Sequence, residues 1–260
     1  MPQDMRDLAA FYGAPLGQRT RRLLLRRLRA LWPDLKGRRL LGYGFALPYL
    51  RTFGEAERAI AACPSAPGAT GWPPGRNMLL CEEDALPFPD LLFDRILIVH
   101  GLEEAESLRA LLRQLWRVLA AEGRIVIVAA NRASLWAQVE RSPFGHGRPF
   151  SWRELDVLLR GALFEPDHWE RALYAPPVTT LTGRGNSWEK VGSRLFPGIG
   201  GVHIVEASKS LYAPASPGLA QAVKKPALKV AQDFNLDASR FSSEERSRPI
   251  KQARRAAAPV

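Results

Sequence analysis

The chain has 260 residues, 46% of them hydrophobic and 24% charged, a composition that excludes a mostly disordered protein. Its longest apolar runs, among them Ile96–Val99 and Ile125–Ala130, fall far short of the roughly 20 residues of a membrane helix. Two cysteines, Cys63 and Cys81, are too few for a disulfide framework or a four-cysteine zinc site, and no signal-peptide pattern follows Met1, so a reducing cytoplasm is the expected location.

The net charge of +11 gathers at the two ends. Residues 1–39 hold ten Lys/Arg against three Asp/Glu, residues 224–260 hold nine against four, and the middle is close to neutral. Basic ends of this kind attract nucleic acid or another polyanion by displacing counterions. A solvated helix face and a soluble tail account for the same charges, and the tail lacks the aromatic interleaving that base stacking uses.

Residues 1–36 read as a basic helical cap. Leu24, Leu28 and Leu31 fall at i, i+4 and i+7, Arg22, Arg26 and Arg29 occupy another face, and Trp32-Pro33 ends the pattern. A short strand runs into Gly42-Tyr43-Gly44, followed by a helical stretch near Leu47–Ala59 and a weak strand at Ile60–Cys63. A Pro/Gly-rich loop through Gly75 then leads to a strand at Asn77–Cys81. Asp94–His100 and Arg124–Ala130 are the strongest strand candidates, apolar on both faces as central parallel strands are. Between them Leu108, Leu111, Leu112, Leu115, Val118 and Leu119 repeat with helical spacing, and Gly123 is expected to stop that helix.

Ser151–Ala162 reads as a helix whose Ser151 and Glu154 form a capping box. His168–Tyr174 and Val202–Ala207 read as strands joined through a helix at Ser187–Leu195. From Pro214 onward no apolar period survives, which predicts a disordered basic tail over 214–260. Alternating strands and helices over 37–213 predict an α/β domain with one open, mostly parallel sheet flanked by helices.

The order of the motifs narrows this further. A strand enters a Gly-x-Gly turn, and an acidic loop continues into Asp84-Ala85-Leu86-Pro87-Phe88-Pro89. Phe93-Asp94-Arg95-Ile96-Leu97 opens a strand, and a helix carries Leu115-Trp116-Arg117-Val118-Leu119 toward Gly123-Arg124-Ile125-Val126-Ile127-Val128. This series resembles the class I S-adenosylmethionine-dependent methyltransferase family, in particular its type 11 branch, over roughly residues 35–212. The resemblance implies a Rossmann-like, seven-stranded sheet with helices on both faces and an antiparallel last strand, here carrying Glu206-Ala207-Ser208-Lys209. It also implies S-adenosyl-L-methionine as cofactor and a methyl acceptor that the sequence does not identify.

Carried onto this chain, the resemblance places Gly42, Tyr43 and Gly44 against the cofactor, where a side chain on either glycine would collide with ligand. Asp84 would accept a hydrogen bond from the adenine amino group, with the Ala85 amide facing the ring, and His100 lies at the carboxyl edge of the sheet. Three positions depart from the family's pattern: Leu40 replaces an acid, Ala46 replaces the third glycine, and Cys63 stands where an acid grips the ribose hydroxyls. The missing carboxylate is worth about 1.5–3 kcal/mol. A degenerate, non-catalytic binding or scaffolding protein, RNA-associated through the basic ends, is therefore the alternative to an enzyme.

For the acceptor side the candidates are Asn131 and Arg132, just after a central strand, and His146 and Arg148 in the Pro143–Ser151 loop. His100 and His146 are the candidate acid–base groups. His168, His203 and the cluster of Glu103, Glu104 and Glu106 read as structural, the carboxylates suiting the start of a helix. No metal site is expected. Serine-hydrolase and phosphate-loop motifs are absent, as is the Asn/Asp-Pro-Pro-Tyr/Phe motif of many amino-methylating relatives; the sequence after Val99 reads His100-Gly101-Leu102.

Overall fold

The apolar runs predicted as central strands lie in the middle of a seven-stranded sheet. The computed structural model describes residues 5–65, 78–139, 142–177 and 185–210. Its strands are β1 (Arg39–Gly44), β2 (Arg58–Pro64), β3 (Met78–Cys81), β4 (Phe93–Val99), β5 (Leu119–Ala130), β6 (Phe164–Ala172) and β7 (Val202–Lys209). They are ordered β3-β2-β1-β4-β5-β7-β6. All pairings from β3 to β5 are parallel, and β7 runs antiparallel between β5 and β6. This is the Rossmann-like sheet expected, with helices on both faces. The predicted tail over 214–260 and most of the Pro/Gly-rich loop lie outside the described residues.

Alternation along the strands sends residues to two cores. One face carries Leu40, Leu97, Val99, Val126, Val128 and Ile204 against α1 (Met5–Gly13), α2 (Pro15–Leu31) and α3 (Leu47–Leu50). The other carries Leu41, Tyr43, Ile96, Ile98, Ile125, Ile127 and Val205 against α4 (Leu108–Val118) and α5 (Trp152–Gly161). Each fully buried Leu or Ile contributes about 1.5–3 kcal/mol over an exposed one. A sixth helix, α6 (Gly185–Leu195), lies in the connection from β6 to β7, and its Glu189 carboxylate accepts from the backbone amides of Leu173 and Tyr174 at 3.2 and 2.7 Å.

Three local expectations are corrected. The helix expected over 1–36 is two helices, because Ala14, which precedes Pro15, is extended (φ −74°, ψ 158°), and Pro15 opens the second. The helix expected near Leu47–Ala59 stops at Leu50 and tightens into a 3-10 turn over Arg51–Phe53. The chain must then return to the level of Arg39, whose register partner is Arg58. Gly123 does not stop α4, which ends at Val118; it lies inside β5, where a Cβ would come within 2.5 Å of the Leu119 side chain. The capping box of α5 is present in full: Glu154 N–H donates to Ser151 Oγ, and Ser151 N–H donates to Glu154 Oε2.

Candidate functional site

The parallel register sets Gly44 of β1 beside Val99 of β4, which brings the glycine turn against His100 and Gly101 at the carboxyl edge of the sheet. Gly44 has φ +73°, and a Cβ there would lie 2.5 Å from the Val99 carbonyl oxygen and 2.9 Å from Cα of Gly101. Phe45 N–H donates to that same carbonyl at 2.7 Å, which closes the turn. A Cβ on Gly42 would meet Ala46 Cβ and Leu50 at 2.8 Å. Both glycines are therefore required by the chain's own packing. Ala46 lies in the right-handed helical region at the start of α3, so its methyl group carries no backbone strain.

The two acid-to-apolar departures have a clear physical role. Leu40 is fully buried in the core beneath α2 and α3. Cys63 Sγ donates to the Gly44 carbonyl at 3.3 Å, and burial pushes its thiol up to about 11, so the end of β2 presents a neutral donor to the glycine turn. The Tyr43 side chain is buried among Ile98, Gly101 and Leu102, and its hydroxyl oxygen has no hydrogen-bond partner. Burial first, then the nearby Glu83, raises the pKa of that phenol, so it stays a protonated donor.

Beyond β3 the acidic loop divides its labour. Glu83 Oε2 accepts from the amides of Glu106 and Ser107 at 3.0 and 3.2 Å and so caps the approach to α4. Asp84 and Ala85 are exposed in the turn, and Glu82, also exposed, is the first acid to leave the strand. Counting outward from the strand end would have brought Glu82 forward beside Asp84.

His100 does not face solvent. It is 6% exposed at φ +49°, and burial pushes its imidazole down to about 3, so the ring is neutral. Tyr49 donates to the Tyr12 hydroxyl at 3.1 Å, and the Tyr12 oxygen lies 2.8 Å from His100 Nε2. With Tyr12 accepting from Tyr49, its own proton goes to Nε2. Around this relay the Tyr12 ring stacks on Phe45 at 5.2 Å, and the Phe144 ring lies 4.8 Å from His100. Helix α1 thus seats an aromatic roof on the sheet edge.

Glu103, read from sequence as a helix-start residue, lies inside this chamber instead. Helix α4 begins five residues later, and Glu103 is 6% exposed. Its Oε1 accepts from the Ala130 amide at 2.7 Å at the end of β5, while Oε2 is buried without a partner. Burial pushes the carboxyl up to about 7. The Pro143–Ser151 loop folds over it: Arg148 N–H donates to the Glu103 carbonyl at 2.8 Å, and Gly147, at φ +65°, leaves no room there for a Cβ.

The remaining sequence candidates fall around this chamber. His146 is half-buried at the end of the 3-10 turn Pro143–Gly145, and the Arg148 side chain is exposed. Asn131 is already engaged: its Nδ2 donates to the carbonyls of Gly198 and Gly200 and holds that loop. Arg132 donates to the Pro149 carbonyl and pairs with Glu154 at 3.1 Å. His203 is buried in β7, and His168 is exposed on β6. Tyr12, Tyr49, Phe45 and Phe144 carried no sequence signal for this place. Among the described residues no group of three His, Cys, Asp or Glu side chains is arranged to hold a metal ion, and no helix is long and apolar enough to cross a membrane.

A cofactor with an adenosyl end and an amino-acid end finds both acceptors and a donor here. The turn at Gly42–Gly44 is closed by the chain's own packing, exposed acids stand beyond β3, and the buried hydroxyl of Tyr43 lacks a partner near the ends of β2 and β3.

Residues 41–127 match the family model for the methyltransferase domain. No curated protein matches the chain. Among solved structures, the chain is similar to one from a complex between the Haloferax volcanii Trm112 methyltransferase activator and a methyltransferase. The TM-score is 0.55 at 17% identity, covering 81% of this chain and 100% of that one. It is also similar to the [4+2]-cyclase SpnF, with a TM-score of 0.51 at 16% identity over 75% of this chain and 83% of that one. A Thermotoga maritima S-adenosylmethionine-dependent methyltransferase aligns with a TM-score of 0.47 at 19% identity, over 72% and 87% of the two chains. The matched segment runs from β1 through most of β5 and spans the glycine turn and the His100–Glu103 edge, so this stretch of the chain is similar to a methyltransferase domain.

Proposed function

We propose that the protein transfers a methyl group from S-adenosylmethionine to an acceptor held at the end of β4. The observation that carries this reading is the packing of the Gly42–Gly44 turn against Gly101, next to a buried chamber in which one carboxyl oxygen, Glu103 Oε2, lacks a partner. The cofactor supplies an activated methyl group; the chain's own residues position the reactants and exclude water. Gly42 and Gly44 shape the turn, Glu82 or Asp84 takes the adenine amino group, and the Tyr43 hydroxyl is the unpartnered polar group left for the ribose where the carboxylate is missing. Tyr12 occupies His100 Nε2, so Glu103 Oε2, rather than His100 or the half-buried His146, is the group free to receive an acceptor's proton.

The test is calorimetric titration with S-adenosylmethionine and S-adenosylhomocysteine, beside Glu82→Ala and Asp84→Ala variants. Micromolar binding lost in either variant supports the reading. No heat and no thermal shift at millimolar ligand replaces it with the scaffolding reading, which the Leu40 and Cys63 positions favour. The [4+2]-cyclase among the structural neighbours is a reminder that the fold alone does not set the reaction.

A second contact is proposed for α2, whose Arg22 and Arg26 are exposed on one side of a helix carrying six arginines. Salt-dependent RNA binding that disappears on deleting residues 1–36 and 214–260 supports it. Binding that persists without those ends overturns it.

A further inference from the structure

On the opposite face of the sheet from the Tyr12–His100 chamber, a cavity of about 170 Å³ opens between α5, β6 and the start of β7. Its walls are Trp152, Trp169, Glu170, Arg171, Tyr174, Pro197 and His203. An enclosed cavity of roughly 150 Å³ holds one benzene ring, so by volume this pocket, partly open and lined by polar as well as apolar surface, has room for a single six-membered ring with small substituents.

The aromatic surfaces are arranged as a corner. The rings of Trp152 and Trp169 lie 6.2 Å apart at 85°, and Trp169 meets His203 at 6.3 Å and 85°. Such a corner offers one ring face and one ring edge to a planar guest, the arrangement aromatic pairs prefer. Trp152 is half-exposed at the first position of α5 and lines this space.

The polar groups complete the site. Arg171 Nη1 donates to the Pro197 carbonyl at 3.0 Å, but its Nε is buried without a partner, and Arg171 forms no ion pair among the described residues. Glu170, the carboxylate in the wall, is already paired with Arg27 of α2 at 2.6 Å. A second guanidinium, Arg153, lies 5.7 Å from the Trp152 ring. With Glu170 neutralised by Arg27, the Arg171 guanidinium is the charge in the wall without an ion pair among the described residues, which favours an anion. His203 adds a different demand. Its Nε2 faces the Phe150 carbonyl at 3.2 Å, and a carbonyl only accepts, so the ring proton sits on Nε2. Its Nδ1 is left as a buried acceptor with no donor.

The geometry points to a binding site for a single-ring aromatic carboxylate with a hydrogen-bond donor beside the carboxylate, its ring in the Trp152–Trp169 corner, its charge on Arg171 and its donor on His203. The site stands on this cavity alone and not on the methyl-transfer reading, so the two can fail separately.

The experiment is a titration of the full chain with anthranilate, followed by the indole N–H resonances of Trp152 and Trp169. Benzoate, which lacks the ring donor, and cyclohexanecarboxylate, which lacks the aromatic face, serve as comparison probes. Saturable shifts at both indoles are expected, with benzoate about tenfold weaker and cyclohexanecarboxylate weaker still. Arg171→Gln and Trp152→Ala should each weaken anthranilate by at least about tenfold. Trp152 is half-exposed, so its variant keeps the fold and serves as the control should Arg171→Gln disturb the Pro197 loop. Absence of saturable shifts, or affinity unchanged in both variants, overturns the site.

Discussion

The Tyr12 hydroxyl lies 2.8 Å from Nε2 of His100, joining the first helix to the end of a central strand across 88 positions of sequence. Removing that hydroxyl leaves His100 without its donor and Tyr49 without its acceptor, both in a buried setting. Tyr12→Phe is expected to cost about 2 kcal/mol, which lowers the melting temperature by roughly 4–8 °C for a chain of this size. Thermal unfolding followed by circular dichroism checks this; a change within 1 °C of zero, on the order of measurement error, would detach α1 from the site.

Gly44 and Gly42 should respond differently to alanine. At Gly44 the new methyl meets backbone, the Val99 carbonyl and Gly101, at a positive φ. At Gly42 it meets the ends of Leu50 and the methyl of Ala46. Gly44→Ala is therefore expected to be the more destabilising, by at least about 1–3 kcal/mol, and to abolish cofactor binding. Denaturant unfolding of both variants gives the order, and the reverse order would contradict the packing of the turn.

The buried chamber also sets a pH dependence. Glu103 is raised from its ordinary 4.5 to about 7, so it binds its proton more tightly in the folded protein. Its contribution to stability is complete below about 4.5 and is lost as pH rises through 7. His100 is lowered from 6.5 to about 3, so its contribution is complete above 6.5 and is lost as pH falls through 3. The two oppose one another between about 4.5 and 6.5. Glu103→Gln keeps an acceptor for the Ala130 amide and removes only the titration. Relative to wild type it should gain on the order of 2–3 kcal/mol between pH 5 and 8. Chemical denaturation at several pH values measures this, and parallel curves for the two proteins would show that the carboxyl does not titrate in this range.

Ser151→Ala should remove one half of the α5 capping box, in which Ser151 Oγ accepts from the Glu154 amide. The expected cost is about 1 kcal/mol, or roughly 2–4 °C in melting temperature. Ser151→Asp, which restores the acceptor, should recover most of it. Equal losses in both variants would show that the cap is not what holds the start of α5.

Much of the architecture was legible because it rests on local pattern. The Ile/Val runs of β4 and β5, the Leu spacing of α4 and the Ser151–Glu154 pair each announce an element within a dozen residues. The break between α1 and α2 was also legible, in Ala14-Pro15, but the continuous Leu and Arg periodicity of α2 masked it. The chamber was not legible, because no local rule brings Tyr12 to His100 or Phe144 over its ring. Glu103 shows the difficulty most clearly. Three carboxylates ahead of a helix look like dipole partners, yet the capping carboxylate is Glu83, from a loop 24 residues before Ser107, and Glu103 turns inward. The cysteine at the end of β2 looked like a simple loss, whereas its thiol bonds the carbonyl of the very turn it faces.

The insertion of β7 between β5 and β6 has a consequence for synthesis. Strand β6 ends at Ala172, but its hydrogen-bonding neighbour is complete only at Lys209, 37 residues later. At roughly 5–20 residues per second, that interval lasts about 2–7 s. Throughout it the growing chain displays the unpaired backbone edges of both β5 and β6. The nascent protein is most open to aggregation, and most in need of a chaperone, in that window, and closing the sheet is a single late event in which one strand fills the gap between two waiting edges.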